Sequence, residues 1–225
     1  FKYGFTYTPN KVTQIHEKTK RNYLARMVLE KKNNMKISKK YDYQYWDGNR
    51  KYGYGGFKYI PGRLTSIAKK LIKTYKLNNN SKILDVGCGK GFLLFEIKKL
   101  LPRISVTGFD VSHYAIKNSK KEIKENLFKF DLRKKLPFKN KEFDLVIAIN
   151  VLHNFKNYEL FKILPNLDKI AKKKFLVVES YRNENELFNL QCWALTCETF
   201  LSKKEWEWMF KYFGYNGDFE FIYFK

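Results

Sequence analysis

The sequence predicts an α/β fold in which a mainly parallel sheet is covered by helices on both faces. Three observations carry this. Short apolar runs alternate with amphipathic stretches from Lys82 to Glu179, a glycine-rich loop joins the first such run to the helix after it, and Phe143 to Ile149 is a run of strand length that is apolar except at Asp144. With 225 residues the chain has room for one substantial domain.

Taken in order, Val12 to Lys32 carries Ile15, Tyr23, Leu24, Met27 and Val28 on an irregular apolar face and predicts a helix, and Lys31 to Lys40 reads as a charge-rich loop. Tyr41 to Gly62 is too rich in glycine for a helix and too rich in tyrosine for an idle linker. Leu64, Ile67, Ala68, Leu71 and Ile72 recur at three and four within a helix from Arg63 to Tyr75. Strands are expected at Lys82–Val86, Ser105–Phe109, Leu127–Phe130, Phe143–Ile149 and Phe175–Glu179, with helices at Phe92–Leu101, Tyr114–Ile123 and Tyr158–Ala171 between them. Asn189 to Phe200 is mixed and irregular. Ser202 and Glu205 form a capping box for a helix through Tyr212, and Asp218 to Phe224 alternates as a last strand. The expected division is an N-terminal helical and tyrosine/glycine-rich lid segment at 1–62 and a ligand-binding domain at 63–225.

Composition excludes several classes. Hydrophobic residues make up 44 % and aromatics 18 %, with 12 glycines and 5 prolines, so the chain is neither collagen-like nor mostly disordered. Cys88, Cys192 and Cys197 are too few for a disulfide scaffold, which predicts a reducing, cytoplasmic setting. No apolar run approaches membrane-spanning length, so no membrane insertion is expected. A net charge of +23 points towards an anionic partner, but 38 of the 45 basic residues are lysine, which suits bidentate phosphate binding less well than arginine. No metal is expected, because no cluster of Cys or His has ligand spacing.

The sharpest signal is Asp85-Val86-Gly87-Cys88-Gly89-Lys90-Gly91 at a strand-to-helix junction. Glycines there let the backbone turn and approach a ligand, and the following helix offers free N–H groups. The spacing is G-x-G-x-G. A dinucleotide loop would need its last glycine where Phe92 stands, and a phosphate loop would end in GK[ST].

This segment resembles the first motif of class I S-adenosylmethionine-dependent methyltransferases. Gly108-Phe109-Asp110-Val111-Ser112, Lys129-Phe130-Asp131-Leu132 and Phe143 through His153 resemble that family's later motifs in the same order. The resemblance implies a Rossmann-like class I methyltransferase fold with an antiparallel C-terminal strand. It also implies S-adenosyl-L-methionine as cofactor and S-adenosyl-L-homocysteine as product. Gly87, Gly89 and Gly91 would then shape the methionyl and ribose side with Asp85 beneath them, Asp110 would accept the ribose hydroxyls and Asp131, beside Leu132, the adenine amino group, with Cys88, Val111 and Asn150 as further cofactor contacts. Asp144, at the wrong end of its strand, is expected to be structural.

Methyl transfer needs an acceptor held in line with the sulfonium and, for a protonated acceptor, a base. His153 and Asn150, just past the fourth strand, are the expected catalytic residues. Tyr52, Tyr54, His153, Asn154, Glu179, Arg182 and Trp193 are the expected acceptor contacts, with Ser180, Tyr181 and Cys197 close by. The segment YWDGNRKYGYGG, from Tyr45 to Gly56, is similar to one that precedes the core in some bacterial small-molecule methyltransferases linked to capsule or surface-sugar modification. That resemblance implies a small polar, anionic acceptor methylated at O or N, such as a sugar, a nucleotide-sugar or a phosphorylated metabolite. RNA is the alternative acceptor, supported by the charge and the aromatics.

Overall fold

The protein is described here as a computed structural model covering residues 20–55 and 57–225. Its strands are β1 (Lys82–Val86), β2 (Ser105–Asp110), β3 (Leu127–Lys129), β4 (Phe143–Ile149), β5 (Ala171–Glu179) and β6 (Asp218–Ile222). Its helices are α1 (Tyr23–Val28), α2 (Lys31–Ser38), α3 (Tyr43–Trp46), α4 (Thr65–Tyr75), α5 (Phe92–Leu100), α6 (His113–Lys117), α7 (Asn157–Ile170), α8 (Glu184–Trp193) and α9 (Lys203–Tyr212). The strand order is β3-β2-β1-β4-β5-β6, and every pairing is parallel.

Alternation along the central strands builds two cores. Ile83, Leu145, Ile147, Phe175 and Val177 pack with α4, α5 and α8, whereas Leu84, Val146, Ala148, Leu176 and Val178 pack with α7 and α9. A period of two thus gives each strand one apolar face per layer, which is why these strands read as continuous apolar runs. Asp144, at the start of β4, accepts the Lys82 backbone N–H at 2.8 Å and pairs with Lys172 at 2.8 Å, far from the ligand end.

Five expectations are corrected. The antiparallel C-terminal strand is parallel: Phe175 to Glu179 register with Asp218 to Ile222. The cause is the crossover. Ser202 bridges Tyr181 at the carboxyl end of β5, and α9 then carries the chain back along the sheet to Gly214, so β6 must restart in the direction of β5. The helix expected over Val12–Lys32 begins, within the described residues, as α1 and breaks at Glu30, whose φ is 46°; residues 12–19 lie outside the described residues.

The expected loop Lys31–Lys40 is mostly helix α2. Its anchors are polar: Asn34 Nδ2 donates to the Leu29 carbonyl and Ser38 Oγ to the Tyr52 carbonyl, at 2.6 and 2.7 Å, so no apolar period announced it. The helix expected over Tyr114–Ile123 ends at Lys117, where Asn118 donates from its side chain to the Tyr114 carbonyl and competes with helix continuation. Helix α8, in a stretch read as irregular, starts at Asn183, whose side chain accepts the Glu186 N–H at 3.0 Å.

The capping box of α9 forms as expected: Ser202 Oγ accepts the Glu205 N–H at 3.3 Å and Glu205 accepts the Ser202 N–H at 2.7 Å. Because α9 sets the direction of β6, Ser202→Ala is expected to lower stability by about 1 kcal/mol, read as a lower urea midpoint at unchanged slope.

Candidate active site

The carboxyl ends of β1, β2 and β4 open on a cavity of about 880 Å³, at the upper end of the roughly 300–1,000 Å³ of small-molecule sites. Asp85, Gly87, Cys88, Gly89, Asp110, Val111, Asp131, Leu132, Asn150, His153, Asn154, Glu179, Tyr54 and Trp193 all line it. Residues from Tyr54 to Trp193 therefore meet where an open α/β sheet places its ligand.

The loop after β1 is held by β2. The Gly87 and Cys88 N–H groups donate to the Phe109 carbonyl at 2.8 and 3.0 Å. Asp110 accepts the Gly89 N–H on one oxygen at 2.9 Å and the Ser112 N–H on the other at 2.8 Å. Gly87, Gly89 and Gly91 have φ of 68°, 55° and 69°, in the left-handed region. A Cβ on Gly87 would lie 2.4 Å from Val151 Cγ2, and one on Gly89 would lie 2.8 Å from Trp46 Cη2. Gly91 caps α5 and turns its free face to Ile123 and Leu127, so it shapes the loop from outside the cavity wall.

Two buried acids share this end. Burial, and then the neighbouring Asp110, push the Asp85 carboxyl well above the usual range, and no hydrogen bond from the described residues reaches its carboxylate. Burial also raises Asp110, opposed by the backbone N–H groups it accepts. Asp131 differs: Arg133 grips both its oxygens, at 2.9 and 2.7 Å, and holds it below the usual range.

At the far end Glu179 ends β5. Burial pushes its carboxyl up to about 7, opposed by the charges of Arg21 and Arg26. The Glu179 backbone N–H donates to His153 Nδ1 at 3.1 Å, which leaves the proton of the neutral ring on Nε2, 3.5 Å from Glu179 Oε2. His153, expected as a base, thus spends its lone pair on the backbone and faces a carboxylate. The group suited to taking a proton is Glu179.

The tyrosine-rich strap roofs the cavity. Trp46 lies over Gly89 and donates from Nε1 to Ser112 Oγ at 2.8 Å; Lys90 Nζ reaches both Asp47 oxygens at 2.7 Å, and Tyr114 donates to Asp47 at 2.8 Å. Tyr45 packs on Trp46, Tyr54 and Phe57 with ring centroids 5.1, 5.9 and 5.2 Å away. Tyr54 turns its ring to the cavity, while its hydroxyl accepts the Leu195 and Thr196 N–H groups at 2.7 and 3.1 Å.

Not every expected contact converges here. Tyr52 is outside the cavity wall, because the turn at Arg50–Tyr52 gives its carbonyl to Ser38 and sets its ring under Lys51. Arg182 is outside as well: its guanidinium pairs with Glu186 one helical turn on and stacks over Tyr223 at 4.2 Å. Ser180, Tyr181 and Cys197 also lie off the wall. Conversely, Tyr41, Tyr45 and Phe57 join it, signalled only by the alternation of aromatics with glycine in the strap, as does Lys90 from the glycine loop.

The methyltransferase domain family matches residues 77–214, more than half of the chain. The chain belongs to this family. A crystal structure of an S-adenosylmethionine-dependent methyltransferase from Archaeoglobus fulgidus superposes with a TM-score of 0.53 at 20 % identity, covering 68 % of this chain and 69 % of that one. The YcgJ protein of Bacillus subtilis gives 0.52 at 20 %, covering 65 % and 66 %. Both likenesses concern the fold. Among curated proteins, ribosomal RNA small subunit methyltransferase C of Buchnera aphidicola is 33 % identical over 47 % of this chain and 33 % of its own length. The tRNA U34 carboxymethyltransferase of Nautilia profundicola is 36 % identical over 37 % and 29 %. Ubiquinone biosynthesis O-methyltransferase of Rickettsia bellii is 26 % identical over 69 % and 64 %. The chain spans about a third of the first two relatives.

The cofactor of this methyltransferase domain is S-adenosyl-L-methionine, and S-adenosyl-L-homocysteine is its product. The residues present fit it. A buried carboxyl at Asp85 to which no described residue donates suits a cationic amino group, and each Asp110 oxygen keeps a lone pair beyond its backbone bond for a hydroxyl. Among the described residues no cluster of His, Cys, Asp and Glu is arranged to hold a metal, and no helix is long and apolar enough to cross a membrane.

Gly87→Ala places a methyl group against Val151 on a left-handed backbone. It is expected to cost about 2 kcal/mol of stability, and Val151→Ala in the same chain is expected to return part of it in urea unfolding.

Proposed function

We propose that this methyltransferase acts on RNA, at an N–H or O–H of a single nucleotide inserted into the roofed cavity. The observation that carries this reading is the make-up of the wall. Tyr41, Tyr45, Trp46, Tyr54 and Phe57 supply flat apolar faces opposite the cofactor loop, and the exposed side chains of Lys40, Arg50, Lys58, Arg63 and Lys156 ring the opening. Flat rings suit an unstacked base, and basic residues around them suit the phosphates on either side. Two relatives whose names state an RNA substrate, a ribosomal RNA methyltransferase and a tRNA carboxymethyltransferase, support the same reading.

The cofactor supplies a methyl group on a sulfonium, and transfer leaves the C–S electron pair on sulfur. The chain's own part is to orient and to take a proton. Asp110 and Asp131 would hold the cofactor's hydroxyls and adenine amino group and Asp85 its amino group, with Asn150 and Asn154 on the cavity wall beside them. Glu179 would accept the acceptor's proton, and His153 holds the Glu179 backbone at Nδ1 while its Nε2 lies 3.5 Å from the carboxylate. With its carboxyl raised to about 7, Glu179 is matched to proton transfer near neutral pH.

A second reading, a small polar anionic acceptor, is favoured by the roof itself, since Trp46 and the Lys90–Asp47 pair close the cavity from above. The surface-sugar pathway belongs to this reading and has the strap's sequence as its support; the comparisons lend more to RNA. Incubating the protein with methyl-labelled cofactor and either total RNA or a metabolite extract separates the two: label in nucleosides after digestion supports RNA, and label confined to the metabolite fraction overturns it.

Asp110→Ala is expected to weaken S-adenosylhomocysteine binding by about 2 kcal/mol in calorimetric titration. Glu179→Gln should leave that affinity nearly unchanged and lower methyl transfer by about 100-fold. The wild-type rate should rise with pH through about 7, and the rise should vanish in the variant.

Stability should move the other way. A carboxyl held above its unfolded value stabilises the fold at low pH and loses that contribution as pH rises through the folded value. Wild type should therefore lose of order 3 kcal/mol between about pH 4.5 and 7 relative to Glu179→Gln, measured by urea unfolding at each pH.

A further inference from the structure

The geometry points to a second nucleic-acid contact outside the cavity: a stacking track for single-stranded RNA across the outer faces of α7 and α9. This inference rests on the RNA reading and adds to it where the strand runs beyond the inserted nucleotide.

Helix α9 buries Trp206, Met209 and Phe210 against the sheet. By the same period, Lys204, Trp208, Lys211 and Tyr212 fall on the opposite side, where an amphipathic helix ordinarily carries polar residues. All four are exposed, and Trp208 and Tyr212, at 57 % and 62 %, stack 5.3 Å apart with their planes 24° from parallel. Neither ring is needed by the core.

The row continues onto α7. Tyr212 meets Phe161 at 6.0 Å, and Tyr158 lies one turn before Phe161. Phe161 and Tyr158 are 45 % and 66 % exposed, and Tyr158 with the neighbouring Lys156 also lines the active-site cavity. Exposed rings therefore run from the mouth of the cavity to the far side of α9, a continuity that scattered surface aromatics would lack.

Charge selects the occupant. Lys162, Lys204 and Lys211 are exposed along the row. The acids of these two helices are already engaged: Glu159 accepts the Lys156 N–H, Asp168 pairs with Lys174, Glu205 accepts the Ser202 N–H, and Glu207 pairs with Lys203. Rings that stack on any base, alternating with free-standing lysines for the phosphates, match an unpaired polynucleotide strand better than an apolar protein surface, which would leave those lysines buried without partners.

The test uses the full chain and a fluorescein-labelled 12-nucleotide oligouridylate, followed by anisotropy and by quenching of Trp208, the most exposed of the four tryptophans. Trp208→Ala with Tyr212→Ala is expected to weaken binding about 10-fold or more at fixed salt. Lys204→Ala with Lys211→Ala should reduce the slope of log affinity against log salt by about 1.4. Both pairs should bind S-adenosylhomocysteine like the wild type, which confirms that the fold and cofactor site are intact.

Equal binding by the ring variant, or equal binding of a 12-base-pair RNA duplex, overturns the track while RNA labelled in the methyl-transfer assay keeps the RNA reading. Absence of any oligouridylate binding together with absence of labelled RNA overturns both.

Discussion

The last two residues of β2 hold the ligand end of the molecule together. The Phe109 carbonyl receives two N–H groups from the loop after β1, and the Asp110 carboxylate receives a third from that loop and a fourth from the turn that starts α6. Four donors converging on one strand end fix a glycine loop whose own backbone would otherwise roam widely. The arrangement is possible because β1 and β2 are parallel neighbours in register, Val86 beside Phe109, so both strands deliver their chain ends to the same edge. The turn at Ser112 then takes hold of the strap, since Ser112 Oγ donates to the Tyr41 carbonyl and accepts from Trp46. Loop, strap and α6 are thus one hydrogen-bonded unit, and a change at Asp110 reaches all three.

Charge inside the cavity follows a related economy. Three carboxyls, of Asp85, Asp110 and Glu179, sit buried along a path on which the chain offers few compensating cations, and burial raises all three above their usual range. Asp131 is the exception, because Arg133 pairs with it at the surface. A cavity that holds acids with raised proton affinity is poised for a cationic ligand, and a sulfonium cofactor with an amino group brings positive charge to this wall. Of the three, Glu179 sits furthest from the glycine loop along the sheet, at the end of β5.

Much of this was legible in the sequence, and the reasons differ by element. The strand Phe143–Ile149 was read to the residue because a parallel strand covered on both faces is apolar at every position except Asp144, next to its start. The glycine loop and its aspartates were legible because few ligands need that spacing. What escaped was whatever tertiary contact decides. Helix α2 has polar anchors instead of an apolar stripe. The direction of β6 depends on where α9 begins and ends, and residue types in β6 carry no sign of it. Arg182 looked available for an anion, yet Glu186 at i+4 consumes it, a pairing that helix α8 creates and that an unrecognised helix could not disclose. His153 and Glu179 were both named, but that the Glu179 N–H occupies His153 Nδ1 is a contact between two strand ends that no sequence pattern announces.

The same β-strand end that supplies Glu179 also explains why the strap need not be a moving lid. Tyr54 is tied to the Leu195 and Thr196 N–H groups, Arg26 reaches the Trp193 and Gly53 carbonyls at 2.9 and 2.8 Å, and Lys39 pairs with Glu198 at 2.6 Å. These bonds join α1, α2 and the strap to the segment after α8, and the Glu198 and Thr199 N–H groups in turn donate to the His153 carbonyl at 2.9 and 3.1 Å. The roof is therefore anchored on both sides of the cleft, at the β2 end through Ser112 and Lys90 and at the β5 end through the residues around His153. On the RNA reading proposed above, a single planar base on a flexible backbone suits such a site, because it can enter without displacing this network of bonds.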